Sequence, residues 1–272
     1  MGENSRVVSE ADFEELKNRL KLIFDADPEQ YVNDFAIKRY LRAFKTVDLA
    51  FQHILKTNKW RKEYGVKELT TENEIVQNHL SSKKALVLKH RDMQGRPVIY
   101  IPAKLHNVNE RDIDELTKFI VYCLETACQK TFEEVVDNLC IIFDLTDFGL
   151  HSWDHSLVKN LIWLLSRHYP ERLGVCLIYN SPGIFQGCWT VIKGWLDENT
   201  VSKIIFVNSE EELCKTQRIV TQYCDLTVIV SDLLENSNNM HCICVGQQKS
   251  SKRKFTLYYS RTSTLTSFHM YL

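Results

Sequence analysis

The sequence lacks an excess of charge of either sign, because 34 Lys and Arg residues balance 35 Asp and Glu residues. A chain with a net charge of −1 does not attract nucleic acid over its whole surface, so an anionic partner would need a local patch. The sequence also lacks any run near the roughly 18 apolar residues of a membrane span. The N-terminal stretch MGENSRVVSEADFEEL lacks the apolar segment of a secretory signal. We therefore expect a soluble, cytoplasmic chain that binds no nucleic acid.

The nine cysteines do not form a recognisable disulfide pattern. Their number is odd and their spacing irregular, which favours reduced thiols that serve as small core residues. With 272 residues, of which 44% are hydrophobic and 25% charged, the chain can bury one substantial core and a small companion domain.

Familiar catalytic motifs are missing: the sequence contains no G-x-G-x-x-G, no G-x-x-x-x-G-K-[ST], no G-x-S-x-G and no H-E-x-x-H. His151 and His155 are four residues apart and would ligate a metal if the segment were helical, with Asp154 beside them and Asp144 as a further residue of a hydrolase site. A polar turn before a helix explains them as well, and Asp144 and Asp147 are also ordinary turn residues. We expect no enzyme activity, no cofactor and no metal, and we retain a metal-dependent hydrolase as the weakest alternative.

The first quarter of the chain has a helical pattern. Ser9 followed by Asp12 resembles a capping box and indicates the start of a first helix, and Pro28 indicates the end of that helix. A second helix is predicted to begin near Asn33, and Asp48 is predicted to cap a third. We assign residues 1–80 to a small helical module.

From about residue 81 the pattern changes to strands that alternate with helices. The segments KALVLKH and RPVIYIP flank a turn and predict a hairpin. Three further strands are predicted at LCIIFDL, VCLIY and KIIFV, separated by segments whose apolar residues recur at helical spacing. This alternation predicts an α/β fold with a largely parallel, buried sheet. After residue 213 short strands are predicted at 225–234 and 240–245, whereas the polar segments GQQKSSKRKF and RTSTLTS show no regular period.

Two features point toward a function. The segment 181–197 carries a wide apolar face with little charge opposite, which fits either a core helix or the wall of an apolar ligand cavity. Its cavity-facing residues are predicted to be Ile184, Phe185, Trp189, Ile192, Trp195 and Leu196. The early helices also carry a basic cluster, with Lys38, Arg39 and Arg42, which fits either a patch facing anionic lipids or a solvated helix face.

Several segments in order resemble the CRAL-TRIO family of lipid-transfer proteins. They are YLRAFKTVDLAFQHILKTNKWRKEYG, DMQGRPVIYI, IIFDLTDFGL and, most strongly, HYPERLGVCLIYNSPGIFQGCWTVIKGWLDENTVSKIIFV. The resemblance covers roughly residues 33–213. It implies a helical N-terminal module followed by a CRAL-TRIO-like sheet at 81–213, whose flanking helices enclose an apolar cavity, and a divergent tail at 214–272.

The resemblance also implies a site. In this family the helix after the N-x-P element acts as a mobile gate, which here is 182–196. In the phosphatidylinositol-transferring members, the glutamate of Y-P-E-R and the lysine of S-K-I bind the lipid head group, and these are Glu171 and Lys203 here. Such members usually read L-R-A-R-K-F-D where this chain reads LRAFKT, so the second arginine is missing or replaced by Lys45.

From these observations we expect non-enzymatic binding, and transfer between membranes, of a phosphoinositide or related lipid in a gated apolar pocket. The implied partners are a phospholipid, or another small hydrophobic ligand such as a retinoid or tocopherol, and the surface of a membrane that the protein contacts peripherally. A phosphoinositide sensor or scaffold without net transfer is the competing interpretation.

Overall fold

The computed structural model describes residues 7–92, 94–208, 241–245, 254–261 and 264–271. The helical module contains α1 (Glu10–Ala26), α2 (Asp34–Phe44), α3 (Val47–Glu63) and α4 (Glu74–Ser82).

Capping side chains set the starts of these helices. The Ser9 hydroxyl accepts a hydrogen bond from the N–H of Asp12, and Asn33 caps α2 in the same way, as predicted. The cap of α3 is Thr46 rather than the predicted Asp48, which lies in the first turn and pairs with Arg19 at 2.7 Å. Helix α4, capped by Asn73, was not predicted because its short sequence carries too few apolar residues for a clear period.

The module has its own hydrophobic core between α1, α2 and α3. The fully or nearly fully buried residues there are Phe13, Leu16, Leu20, Ile37, Tyr40, Leu41, Ala50 and Ile54. Because they recur at helical spacing, each helix buries one apolar face in this core.

The second unit is a five-stranded sheet in the order β1-β2-β3-β4-β5. Its strands are β1 (Leu86–Arg91), β2 (Pro97–Pro102), β3 (Leu139–Asp144), β4 (Leu173–Tyr179) and β5 (Ile204–Val207). The β1–β2 pair is an antiparallel hairpin, and β2 through β5 are parallel. The predicted α/β class with a largely parallel sheet is confirmed.

Connecting helices cover one face of this sheet. They are α5 (Ile113–Gln129), α6 (His155–His168), α7 (Phe185–Lys193) and the short α8 (Glu198–Ser202). Ile99 and Leu139 pack beneath α5 and α6, whereas Cys176 and Ile178 pack beneath α7. The side chains between them on each strand form a second buried layer on the opposite face, which includes Leu88, Cys140, Ile142, Leu177 and Val207.

The described part of the tail contains three strands. They are β6 (His241–Val245), β7 (Lys254–Arg261) and β8 (Thr264–Tyr271), and they form an antiparallel sheet in that order. The predicted strand at 240–245 agrees with β6, but the polar stretches that showed no regular period overlap both ends of β7 and the first half of β8. The predicted strand at 225–234 and the predicted domain boundary at 213 lie outside the described residues.

Candidate functional site

The turn that joins α6 to β4 holds the first predicted site residue. Its sequence is Tyr169-Pro170-Glu171-Arg172, and Pro170 prevents α6 from continuing. Glu171 has a φ of 57°, a left-handed conformation that non-glycine residues rarely adopt and that costs about 1 kcal/mol or more. The neighbouring structure must therefore hold Glu171 in place, and such strained residues concentrate at functional sites.

Lys203 lies beside this turn, between α8 and β5. Its carbonyl accepts a hydrogen bond from the N–H of Cys176, so the pairing of β4 with β5 fixes its position. The Lys203 Nζ is 3.3 Å from the Glu171 Oε2, and the two side chains keep 23% and 26% of their surface exposed. The structure thus brings together two residues that are 32 positions apart, at the edge of the sheet where the parallel strands begin.

An apolar layer separates α7 from the sheet, and we refer to it as the gate layer. It contains Phe185 and Cys188 of α7, Cys176 and Ile178 of β4, and Leu145, with partly buried side chains around them. Phe185 makes an edge-to-face contact with Phe148 at 5.5 Å, and Trp189 makes one with Phe206 at 5.2 Å. The segment predicted as a gate therefore covers an apolar surface.

The gate helix differs in detail from the prediction. It spans residues 185–193 rather than 182–196, and Trp195 and Leu196 lie in the turn that follows it. Trp189 and Ile192 contact the gate layer, and the ring of Trp195 contacts the His155 ring at 4.8 Å. Ile184 is 50% exposed just before the helix, so it does not point into this layer.

The predicted membrane-facing basic patch is wrong for Arg39. This residue is only 5% exposed, and its guanidinium pairs with Glu133 at 2.9 Å and with Asp137 at 3.4 Å. Arg42 also binds Asp137, at 3.1 Å, while the Lys38 ammonium lies 4.8 Å from the Phe13 ring. Helical spacing could not reveal acidic partners that are nearly 100 positions away.

The second family arginine is absent from α2. When LRAFKT is aligned with the family pattern without a gap, Phe44 occupies the position of this arginine. The Phe44 ring stacks on His53 with centroids 3.7 Å apart. Lys45 follows as the left-handed C-cap of the helix, with a φ of 64°. A role of Lys45 in binding a head group stays a prediction.

The residues of the metal alternative have other structural roles. His155 is the first residue of α6, and the preceding Asp154 caps that helix while binding Arg111 and His106. Asp144 accepts a hydrogen bond from the Tyr100 hydroxyl. Within the described ranges, no three His, Cys, Asp or Glu side chains come together as a metal site requires. The hydrolase alternative therefore receives no support from this geometry.

His168, at the end of α6, connects the helical module to the sheet unit. Its ring stacks on Trp60 of α3 with centroids 4.0 Å apart, and its Nδ1 lies 3.2 Å from the Thr57 hydroxyl. Burial, together with the smaller effects of the nearby charges of Arg167, His53 and Arg61, lowers the pKa of His168 to about 4. The ring is therefore neutral in the folded protein near neutral pH.

This contact makes stability depend on pH. Because the folded pKa of about 4 lies below the unfolded value of 6.5, the stabilisation is complete above pH 6.5 and is lost as the pH falls toward 4. His168 is only partly buried, so solvent screening leaves roughly 1–2 kcal/mol of the effect. In His168→Phe, which keeps a stacking ring, the loss of thermal stability between pH 6.5 and 4 should be smaller. His151→Phe, at an exposed turn, should lose as much thermal stability between pH 6.5 and 4 as the wild type. Equal losses in all three proteins would contradict the role of His168 in this pH dependence.

Sequence patterns missed two carboxylates that anchor the turn around Glu171. Glu125 of α5 binds Arg61 of α3 through two hydrogen bonds of 2.8 Å, and Glu133 binds Arg39 of α2. The one available signal was the isolated acid at position 125 within the apolar stretch FIVYCLETAC.

Among the described helices, none is both long enough and apolar enough to cross a membrane.

The sequence and the fold are similar to those of known proteins. The sequence model of the CRAL/TRIO domain matches residues 81–230. A CRAL-TRIO domain-containing protein of Schizosaccharomyces pombe is 33% identical over 191 residues, which are 66% of this chain and 42% of that protein. The phosphatidylinositol transfer protein CSR1 of Eremothecium gossypii is 34% identical over 122 residues, or 45% of this chain and 28% of that protein. This chain thus spans less than half the length of both relatives.

A third relative matches over more of its length. The Sec14 cytosolic factor of Schizosaccharomyces pombe is 29% identical over 205 residues, which are 69% of this chain and 71% of that protein. The crystal structure of Sfh5 superposes with a TM-score of 0.61 at 16% identity, covering 72% of this chain and 78% of that one. This superposition supports the α/β fold described above.

Proposed function

The chain belongs to the CRAL/TRIO domain family, and on this premise we propose that it binds a phospholipid with an inositol head group and transfers it between membranes. One relative is named for such an activity, as a phosphatidylinositol transfer protein. The family is one of lipid-binding and lipid-transfer proteins rather than enzymes, and the proposed function requires no covalent step.

The observation that carries this proposal is the contact between Glu171 and Lys203. A lysine ammonium is a suitable partner for a phosphodiester, and a carboxylate accepts hydrogen bonds from hydroxyl groups. An inositol phosphate offers both groups on one small unit. Because each side chain keeps about a quarter of its surface exposed, a head group can reach the pair from solvent.

The gate layer provides the complementary apolar site. Acyl chains would enter between α7 and strands β3–β5, where they would replace contacts such as those of Trp189 with Phe206. Exchange would then depend on the relative affinities of the open and closed states for membrane and for bound lipid. Helix α7 is short, and little of its length is deeply buried, which suits a mobile element.

The first test replaces one charged residue of the pair. In Lys203→Ala the affinity for phosphatidylinositol should fall about 10- to 100-fold, because a hydrogen bond to a charged group contributes about 1.5–3 kcal/mol. The measurement is identification of co-purified lipid by native mass spectrometry, followed by titration with phosphatidylinositol vesicles. Lys17→Ala is the control, since Lys17 forms a lysine–carboxylate pair with Asp34 at 2.8 Å in the helical module, away from the site. An unchanged affinity in Lys203→Ala would remove the head-group assignment.

Peripheral membrane contact is assigned to apolar side chains rather than to Arg39 and Arg42. Exposed apolar residues follow three neighbouring strands at the edge where those strands end: Leu105 after β2, Leu150 after β3 and Ile184 after β4. Insertion of such side chains into the interface of a bilayer is favourable in proportion to the apolar area that leaves water.

A charge on this edge should weaken membrane binding. Ile184→Asp is expected to lower the fraction of protein that floats with lipid vesicles by several fold, because an aspartate resists burial in the bilayer interface. Leu22→Asp, at a position of α1 that is 75% exposed, should bind vesicles like the wild type. If the two variants behave alike, the membrane surface lies elsewhere. Lipid transfer between donor and acceptor vesicles, measured for the same proteins, separates a carrier from a sensor that binds without transfer.

A further inference from the structure

Both flanks of the strained residue Glu171 are held by buried carboxylates. On the N-terminal side, the Tyr169 hydroxyl donates to Glu125 Oε1 at 2.6 Å. On the C-terminal side, Arg172 donates to Glu133 Oε1 at 2.8 Å and to the carbonyl of Asp137 at 2.6 Å. The left-handed turn is therefore fixed two residues before and one residue after Glu171.

Each of these carboxylates also binds an arginine of the helical module. Glu125 receives two parallel hydrogen bonds from Arg61 of α3, and Glu133 receives one from Arg39 of α2. Asn33, the cap of α2, donates to the second oxygen of Glu133. Two separate helices of the module thus reach the two flanks of one turn, each through a single carboxylate.

The loss of one of these contacts should disturb the turn, because most of the side chains that form them are largely buried. The side chains of Glu125 and Glu133 are each 18% exposed, that of Arg172 is 14% exposed and that of Arg39 is 6% exposed. Burial alone would raise the pKa of both carboxyls, yet their hydrogen bonds and the arginine charges hold both pKa values below the usual range. Removing one partner leaves an uncompensated buried charge, so the geometry of the turn responds to a change in the module.

We propose that the helical module, residues 7–82, positions Glu171 through Glu125 and Glu133, and so sets the preference of the site for an inositol head group. Arg39, Arg61, Glu125 and Glu133 act as positioning residues that do not touch the lipid. This inference rests on the proposed function, since Glu171 must bind the head group for its position to affect selectivity.

A purely structural role for this network makes a different prediction. If Glu133 only attached the module to the sheet unit, its loss would weaken the binding of every lipid to the same extent as it lowered stability. If Glu133 positions Glu171, its loss should act on the head group alone, because the gate layer contains none of these residues. The ratio of two lipid affinities distinguishes the two roles.

The experiment compares Glu133→Gln and the milder Arg39→Lys with wild type in the full chain. The control is Arg111→Gln, which breaks an ion pair of similar geometry with the buried Asp154, at 2.7 and 3.1 Å, away from the turn. Affinities for phosphatidylinositol and phosphatidylcholine vesicles are measured for each protein. We expect phosphatidylinositol binding to weaken about tenfold in Glu133→Gln and less in Arg39→Lys, with phosphatidylcholine binding unchanged. Arg111→Gln should keep the wild-type ratio.

Hydrogen exchange of the amides of residues 169–173 provides a readout that needs no lipid. Exchange there should accelerate in Glu133→Gln but not in Arg111→Gln, even where both variants lose similar thermal stability. An unchanged affinity ratio in Glu133→Gln, together with a lowered affinity for phosphatidylinositol in Lys203→Ala, would overturn the positioning role and leave the proposed function intact. An unchanged affinity for phosphatidylinositol in Lys203→Ala would instead overturn the proposed function. Unaltered exchange in Glu133→Gln would overturn the positioning role whatever the lipid results.

Discussion

Replacement of Glu125 by alanine should lower the free energy of unfolding by about 2–3 kcal/mol, because it removes hydrogen bonds to a charged group, while the 36% exposure of the Arg61 side chain lets solvent offset part of the loss. The substitution leaves the Arg61 guanidinium without its two hydrogen bonds and the Tyr169 hydroxyl without its acceptor. Urea unfolding followed by circular dichroism measures the change. The loss should be large because the carboxylate joins α3, α5 and the turn before β4 at one point.

A surface pair supplies the comparison for this result. Asp34 binds Lys17 at 2.8 Å, but both side chains are nearly half exposed, so Asp34→Ala should cost no more than about 1 kcal/mol. If Glu125→Ala is as mild as Asp34→Ala, the junction between the module and the sheet unit does not depend on this carboxylate.

Replacement of Phe185 by alanine should release helix α7 from the sheet. Phe185 is 5% exposed at the first position of α7 and contacts the rings of Phe148 and Phe206. Truncating a buried phenylalanine costs about 3–5 kcal/mol. Since about 1.4 kcal/mol corresponds to a factor of ten, the open population of α7 should rise more than a hundredfold if the loss falls on its docking.

Hydrogen exchange of the α7 amides measures this opening directly, and release of bound lipid should accelerate in parallel. Val191→Ala is the control on the same helix, because Val191 is 44% exposed and its truncation should change little. Wild-type protection of α7 in Phe185→Ala would show that the helix is held by other contacts.

Elements with a clear local signal were predictable from the sequence. The caps Ser9 and Asn33, the hairpin and the parallel strands follow from side-chain chemistry within a few residues and from runs of apolar residues. The predictions failed where distant residues decide the outcome. Arg39 is as charged as any surface residue, and the approach of Glu133 and Asp137, 94 and 98 positions away, explains its burial.

The candidate site also depends on residues that are far apart in the sequence. Resemblance to a family selected Glu171 and Lys203, but spacing alone could not show that they meet, because their contact depends on the pairing of β4 with β5. The gate helix was predicted too long for a local reason: the apolar pattern continues through Trp195, whereas the helix ends at Lys193 and Gly194 caps it.

The strictly consecutive strand order has a consequence for how the molecule assembles. Each strand from β2 to β5 pairs with the strand that precedes it in the chain, so every pairing closes a comparatively short loop. We therefore expect the sheet to grow from one side during synthesis, with each strand joining an edge that already exists. Lys203 immediately precedes the final strand of that sheet, so the contact with Glu171 would be the last part of the site to form. An incompletely synthesised chain would then contain an ordered turn at Glu171 before it could hold a head group.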